Sequence, residues 1–180
     1  MSLTLITGPM KSGKSLELIA RVAPYAYADQ KILYVQAAQN SRDNGITSRL
    51  GIDTQALRVT SLTEVTTDFD VIGIDEINMF PATDITVISR WLKLNKEVFI
   101  SGLDLDYRAT VPPIITAIYE QQPDVIIRKQ AVCDVCKKIN AGFTQILANG
   151  KPILSGLPLI TPEDGTYDYQ ARCRDCFVRL

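Results

Sequence analysis

Five short apolar runs separated by longer amphipathic stretches are the feature that most constrains the fold of this chain. The runs are continuous rather than alternating, as in Val71, Ile72 and Ile74, which is typical of strands in a parallel sheet covered on both faces. Strands that alternate with helices indicate βαβ units, so the sequence predicts an α/β fold with a mostly parallel sheet and helices on both faces. Pro24 predicts that the first helix kinks or ends early. The predicted strands are 3–7, 31–35, 70–75, 97–103 and 124–130, and the predicted helices are 14–28, 83–94 and 114–121.

The pattern changes near residue 130, where amphipathic helices give way to short strand-like pieces with Gly and Pro. We therefore predict a nucleotide-binding α/β domain at 1–130 and a small metal-stapled subdomain at 131–180. The 180 residues suffice for one domain with such an appendage.

Charge and hydropathy exclude several classes of partner. Lys and Arg number 19 against 20 Asp and Glu, and this net charge of −1 argues against a general electrostatic hold on nucleic acid or on an anionic membrane. No apolar run approaches the roughly 20 residues that span a bilayer. The N-terminus lacks the basic flank and apolar stretch of a signal peptide, so we expect a cytoplasmic protein.

Residues 8–15 read Gly-Pro-Met-Lys-Ser-Gly-Lys-Ser and satisfy the phosphate-binding loop (P-loop) pattern G-x-x-x-x-G-K-[ST] between a strand and a helix. A chance match is expected in roughly one chain in a hundred of this length. Glycines let the backbone wrap around phosphates, and the helix N-terminus offers its N–H groups to them. We predict ATP binding here, with Lys14 at the β- and γ-phosphates and the Ser15 hydroxyl on Mg²⁺. The predicted contacts of the loop with ATP are Gly8, Pro9, Met10, Lys11, Ser12, Gly13, Lys14 and Ser15.

Two acids end the predicted strand at 70–75. Asp75 is predicted to help hold Mg²⁺, as a carboxylate at such a strand end does in P-loop proteins. The chain has no histidine, so a general base must be a carboxylate or, less often, Lys, Tyr or Cys. Glu76 is the best-placed candidate for accepting the proton of an attacking hydroxyl. The alternative is that both acids only cap the following helix.

Four cysteines form two C-x-x-C pairs with 36 residues between them. Two such turns brought together offer four thiolates in tetrahedral geometry and leave no open position, which predicts a structural Zn²⁺ site. Redox-active or incidental thiols are the alternatives, and a cytoplasmic chain disfavours disulfides. The predicted ligands are Cys133, Cys136, Cys173 and Cys176.

These motifs together resemble those of the type II (cellular and bacterial) thymidine kinases. The P-loop, the run Ile-Gly-Ile-Asp-Glu-Ile-Asn-Met-Phe at 72–80 and Gly-Leu-Asp-Leu-Asp-Tyr-Arg at 102–108 each have a counterpart in that family. The cysteine pairs and the Ser-Arg steps at 41–42 and 48–49 fit as well. The resemblance runs in the same order from residue 2 to residue 177.

The resemblance implies a kinase with a RecA-like ATP domain and a zinc-bearing "lasso" subdomain that closes over the nucleoside. It implies that Mg-ATP and thymidine give ADP and thymidine 5′-phosphate in nucleotide salvage for DNA synthesis, with Glu76 as the base. Arg42 and Asn78 would add to the nucleotide site. The family is commonly a homo-oligomer, a tetramer or dimer, and is inhibited by thymidine triphosphate. The implied nucleoside contacts are Met10, Leu103, Tyr107, Arg108, Phe143, Thr144 and Tyr169.

Several positions depart from the family pattern. Asn78 stands where Gln is usual, Asn40 where Asp is usual, Gln36 where Lys is frequent, and Pro112 where a pocket Phe is expected. The segment 155–165 is longer than usual and lacks an Ile-Gly-Gly run. A different or modified pyrimidine nucleoside is therefore one alternative substrate. A nucleic-acid-associated P-loop ATPase with a zinc ribbon is the rival class, although no basic, aromatic-rich patch surrounds the cysteines.

Overall fold

A six-stranded parallel sheet organises the first 130 residues in the computed structural model, which describes residues 1–39, 45–47, 51–158 and 166–179. Its strands run in the order β5–β2–β6–β7–β1–β8, and every neighbouring pair is parallel. The strands of the described residues are β1 (Ser2–Thr7), β2 (Ile32–Ala37), β3 (Ile46–Thr47), β4 (Asp53–Thr54), β5 (Leu57–Val59), β6 (Val71–Asp75), β7 (Glu97–Gly102), β8 (Val125–Arg128), β9 (Ala131–Val132), β10 (Ile139–Ala141), β11 (Phe143–Ala148), β12 (Lys151–Pro152) and β13 (Asp168–Arg172).

Helices cover both faces of the sheet, as the continuous apolar runs predict. Alternate residues of a strand point to opposite faces. Accordingly, Ile72 and Ile74 of β6 join one buried cluster with α2 and α3, whereas Val71 joins a second cluster with α1. The α-helices of the described residues are α1 (Lys14–Val22), α2 (Ile85–Lys93) and α3 (Pro113–Glu120), and the 3₁₀ turns are Ala23–Ala28, Leu62–Glu64, Ile77–Met79 and Ala82–Asp84.

The α/β fold with a mostly parallel sheet is therefore confirmed, and the differences are local. The first helix ends at Val22, and Pro24 stands in the first turn of the following 3₁₀ segment, because its ring cannot continue the α-helical hydrogen bonds. The edge strand β5 was not predicted. It has only three residues, two of them exposed, and too short a pattern to stand out.

The strands beyond residue 130 are short and antiparallel. β9 pairs with β10, and β11 lies between β12 and β13 in a three-stranded sheet. A small buried cluster of Ala131, Ala141 and Ala171 with Cys133 and Cys173 packs between these strands. Such a core is small for its own stability, which favours an additional crosslink such as a metal ion.

Within the described ranges, no helix has the length and apolar character needed to cross a bilayer.

Gly102, the last residue of β7, tests how tightly the carboxyl end of the sheet is packed. A Cβ at this position would lie 2.8 Å from both Asn78 Oδ1 and Ile77 Cγ2. We expect Gly102→Ala to lower the free energy of unfolding by about 1–3 kcal/mol, measured by urea denaturation. The matched control is Gly142→Ala, since nothing described lies within 4 Å of a Cβ there. Equal stability of the two variants would contradict this packing.

Candidate active site and metal centre

The P-loop connects β1 to α1 and depends on two glycines for its path. A Cβ on Gly8 (φ 145°) would lie 2.4 Å from the carbonyl oxygen of Lys129, so no other residue fits against that backbone. Gly13 (φ 79°) precedes α1 in the left-handed conformation that glycine adopts at little cost. A helix N-terminus that follows such a turn offers backbone N–H groups to an anion, which is the chemistry that the motif predicts.

Within the loop, the predicted phosphate ligands are held close to the backbone. The Lys14 side chain is buried, and its Nζ donates a hydrogen bond to the carbonyl oxygen of Pro9 at 2.9 Å. Ser15 is half-buried at the start of α1. The buried Ser12 hydroxyl has no hydrogen-bond partner among the described residues. This loop thus offers buried polar groups that a phosphate would pair.

Asp75 and Glu76 lie where β6 leaves the sheet. Asp75 is buried, and its Oδ1 accepts hydrogen bonds from the Ser101 hydroxyl on β7 and from the Glu76 N–H, the latter at 3.1 Å. Glu76 adopts φ 55°, a left-handed conformation that costs a non-glycine residue on the order of 1–3 kcal/mol and occurs often at functional sites. The chain therefore turns sharply directly after Asp75.

Asn78 holds the end of β7 rather than pointing away from it. Its Oδ1 accepts a hydrogen bond from the Leu103 N–H at 2.8 Å. This close approach is possible because the neighbouring residue, Gly102, has no side chain. Asn78 thus fixes the backbone of half-buried Leu103, a predicted wall of the nucleoside pocket. A shorter Asn in place of the usual Gln still bridges the two strand ends.

Two charged residues near the P-loop were not assigned a role from the sequence. Asp104 follows β7, and burial raises the pKa of its carboxyl, against the opposing effect of the nearby Lys14 and Arg128 cations. Lys129 follows β8, and its Nζ lies 2.8 Å from Glu17 Oε2 on α1. Asp104 directly follows the predicted strand 97–103, which is a signal in the sequence, whereas only the strand order shows that both residues lie at the carboxyl edge beside β1.

Tyr107 connects this edge to the segment before residue 159. Its ring is buried, and its hydroxyl both donates to the carbonyl oxygen and accepts from the N–H of Leu157, each at 3.2 Å. The Arg108 guanidinium lies 5.5 Å from the centre of this ring and forms an ion pair with Asp106 at 2.9 Å. The two predicted nucleoside contacts are therefore mutually packed.

Neighbouring side chains of β11 lie on opposite faces of the three-stranded sheet. The buried Thr144 hydroxyl accepts a hydrogen bond from the Met10 N–H of the P-loop at 3.0 Å. Phe143 instead stacks on Phe177, with ring centres 4.7 Å apart. Tyr169 on β13 lies opposite Ile146, on the face that carries Thr144. Of the β11 candidates, only Thr144 contacts the P-loop.

The four cysteines lie together, as their spacing predicts. Their sulfur atoms are all within 4.8 Å of one another, and Cys136 Sγ lies 3.7 Å from Cys173 Sγ. Zn–S bonds of about 2.3 Å in a tetrahedron place sulfurs about 3.8 Å apart, so this cluster fits a Zn²⁺ ion. No ligand position remains for substrate, which agrees with a structural metal.

Hydrogen bonding within the cluster also favours a cation. Burial opposes ionisation of Cys133, but the backbone N–H groups of Cys136 and Cys173 outweigh it and lower its pKa to about 6. The hydrogen bond to Cys173, burial and the other thiols raise the pKa of Cys176 to about 12. Cys133 thus loses its proton readily and Cys176 resists losing it, so a divalent cation is what would balance four thiolates.

Arg42, the predicted loop contact with the phosphates, is outside the described residues, as is Asn40. An open groove between Tyr34, Ala26 and the segment 53–57 contains none of the predicted site residues.

The fold and these clusters define an α/β protein with a P-loop and a four-cysteine cluster that fits a metal ion. The family model of the thymidine kinases matches residues 1–177. The chain therefore belongs to the thymidine kinase family, and it is an ATP-dependent nucleoside kinase, a transferase that binds nucleotide. This membership implies ATP and Mg²⁺ as cofactors and a nucleoside as the second substrate.

Metal content tests the cysteine site. We expect one zinc per chain by elemental analysis, and we expect Cys136→Ser to lose it and to open residues 131–179 to protease, because three thiolates bind Zn²⁺ more weakly than four. The matched control is Val135→Ser in the same turn, where the exposed side chain is not a ligand. Zinc-free protein with unchanged protease resistance would overturn the assignment.

Proposed function

We propose that this kinase transfers the γ-phosphoryl group of Mg-ATP to the 5′-hydroxyl of thymidine, giving thymidine 5′-phosphate and ADP. The observation that carries the proposal is the position of Asp75 and Glu76 relative to the P-loop. Asp75 ends β6 and Glu76 follows it, the P-loop begins at the end of β1, and β7 lies between these two strands in the sheet. Two strand spacings amount to roughly 10 Å, a distance that a triphosphate and an acceptor hydroxyl can share.

The chain's own residues divide the work of the reaction. The P-loop and Lys14 bind and orient the phosphates, and Ser15 and Asp75 would hold Mg²⁺, which neutralises charge on the phosphates when bound. Glu76 accepts the proton of the 5′-hydroxyl. At the same time the hydroxyl oxygen attacks the γ-phosphorus, and ADP leaves. Most of the acceleration comes from positioning and charge neutralisation, since phosphoryl transfer needs little covalent chemistry from the protein.

We propose that residues 1–130 carry this chemistry and that residues 131–180 cover the nucleoside. The support is the pair of contacts that join the two parts, one from Thr144 to the P-loop and one from Tyr107 to Leu157. A site closed in this way excludes water, which would otherwise accept the phosphoryl group. Thr144 and Tyr169 share a face of the small sheet, which suits a surface that meets the base.

For partners, we propose small-molecule substrates only, with no nucleic acid and no membrane, and a homo-oligomer, either a tetramer or a dimer. The net charge of −1 supports the first part. The edge strand β8 supports the second, because it exposes 41% of Val125 and 39% of Ile126 next to an unpaired backbone edge. Four cysteines that form no disulfide suit a reducing, cytoplasmic compartment.

A panel of nucleosides tests the substrate. We expect ATP-dependent phosphorylation of thymidine to exceed that of adenosine and guanosine, because a pocket that pairs with a pyrimidine edge leaves polar groups unpaired against a purine. Faster phosphorylation of another or a modified pyrimidine nucleoside would change the proposed base and leave the assignment as a nucleoside kinase unchanged. ATP hydrolysis stimulated by single-stranded DNA, without nucleoside phosphorylation, would favour the nucleic-acid-associated ATPase.

Glu76→Gln tests the base directly. We expect kcat to fall about 10²–10⁴-fold with the KM for ATP little changed, because the amide keeps the shape but cannot accept the proton. Steady-state kinetics with thymidine measures both values. The control Glu120→Gln removes the same charge from an exposed position at the end of α3 and should behave as the parent. Parent-like turnover by Glu76→Gln would remove Glu76 from the mechanism.

Two variants of Tyr107 separate the stacking of its ring on the nucleoside from the hydrogen bonds of its hydroxyl to Leu157. We expect Tyr107→Ala to raise the nucleoside KM about 10-fold or more, since it removes both the ring and the hydroxyl. Tyr107→Phe keeps the ring and loses only the two hydrogen bonds to Leu157, so its effect should be about 2- to 10-fold. The KM for ATP should change less in both variants. Equal KM values for thymidine in all three proteins would contradict this role.

A further inference from the structure

The first cysteine turn contacts the P-loop through an ion pair. Lys11 Nζ lies 2.8 Å from Oδ2 of Asp134, the residue between the metal ligand Cys133 and Val135. Both side chains are about one-third exposed or less, at 34% and 27%. The sequence motifs assign Asp134 no role, and Lys11 occupies a variable position of the P-loop pattern.

Asp134 is held firmly enough to position what it contacts. Its Oδ2 also accepts a hydrogen bond from the Ala171 N–H at 2.7 Å, and its own N–H donates to the Ala171 carbonyl oxygen at 2.8 Å. Ala171 is fully buried, two residues before Cys173, whose N–H donates to Cys133 Sγ. The carboxylate is therefore anchored to both cysteine turns, and its place depends on the cluster that holds them together.

Lys11 is a residue whose backbone needs such support. It adopts φ 64°, a left-handed conformation that disfavours any side chain with a Cβ. Its neighbour Met10 is held by Thr144 through the buried 3.0 Å hydrogen bond. Two consecutive residues of the P-loop are thus fixed by the C-terminal part of the chain, one through the backbone and one through an ion pair.

We infer that Asp134 is a positioning residue that couples the four-cysteine site to the P-loop, so that metal and nucleotide stabilise each other's binding. The inference rests on the proposed role of the P-loop in binding the phosphates of ATP. Coupling between two binding sites is reciprocal. A bound nucleotide therefore raises the affinity for the metal by the same factor by which the metal raises the affinity for the nucleotide. The cysteine cluster then contributes to the ATP site as well as to the subdomain that covers the nucleoside.

Zinc retention by the zinc-loaded chain tests this coupling without relying on turnover. Zinc transfer to a chromogenic chelator is followed with and without Mg-ADP in the parent, in Asp134→Asn and in the control Asp175→Asn. Asp175 is exposed in the second cysteine turn, so the control removes the same charge beside the same cluster. In Asp134→Asn, the amide oxygen can still accept a hydrogen bond from the Ala171 N–H, but the side chain lacks the charge that pairs with Lys11.

We expect Mg-ADP to slow zinc transfer about 2- to 5-fold in the parent and in Asp175→Asn, and to have little effect in Asp134→Asn. The range follows from the modest energy of a partly exposed ion pair. In turnover, Asp134→Asn should raise the KM for ATP by a similar factor and leave kcat and the thymidine KM nearly unchanged. A merely structural role for Asp134 would change all three constants together.

Lys11→Met provides a second route that leaves the cysteine turn intact. It should abolish the protection by Mg-ADP as Asp134→Asn does, and the double variant should match either single variant if the ion pair carries the coupling. If Asp134→Asn purifies with less than one zinc, Lys11→Met alone carries the test. Protection equal to that of the parent in Lys11→Met or in zinc-loaded Asp134→Asn overturns the coupling while the kinase assignment stands. A parent chain that binds no Mg-ADP overturns both.

Discussion

Strand β7 pairs in parallel with β1 on one side and with β6 on the other, and the proposed active site depends on this pairing. Parallel strands release their carboxyl ends at one edge of the sheet, so the P-loop after β1, the acids after β6 and the turn after β7 meet there. The apolar clusters on both faces hold the three strands in register. The buried apolar side chains on the two faces of the sheet thus hold the polar residues at this edge in place.

The close approach of backbone segments at this edge explains where glycines occur. Gly8 accommodates the carbonyl oxygen of Lys129, and Gly102 accommodates the side chains of Ile77 and Asn78. In return, Asn78 holds the Leu103 N–H, so the turn after β7 stays next to the acids after β6. A side chain at either glycine would separate segments that the proposed reaction requires to be adjacent.

The part beyond residue 130 has little apolar core, and its order depends on the cysteine cluster and on contacts with the α/β part. Its sheets are short, and the buried cluster between its strands consists of Ala and Cys residues. Contacts through Thr144, Asp134 and Leu157 reach the P-loop and Tyr107. In the proposed function, these contacts would let the site exclude water while the phosphate chemistry takes place at the edge of the six-stranded sheet.

Local patterns in the sequence were enough for the fold class, the family and the candidate residues of the phosphate chemistry. Continuous apolar runs report burial on both faces, and the P-loop and the C-x-x-C pairs need only a few neighbouring residues, so these features can be recognised without the fold. The catalytic and binding roles of the site residues stay predictions. What only the tertiary structure decided is which distant residues meet: Thr144 faces the P-loop while Phe143 faces away, and Asp134 pairs with Lys11 across more than a hundred residues of sequence. The physical reason is that each such contact depends on strand register and on the packing of two separate parts of the chain, and neither leaves a periodic signal in the sequence around the residues involved.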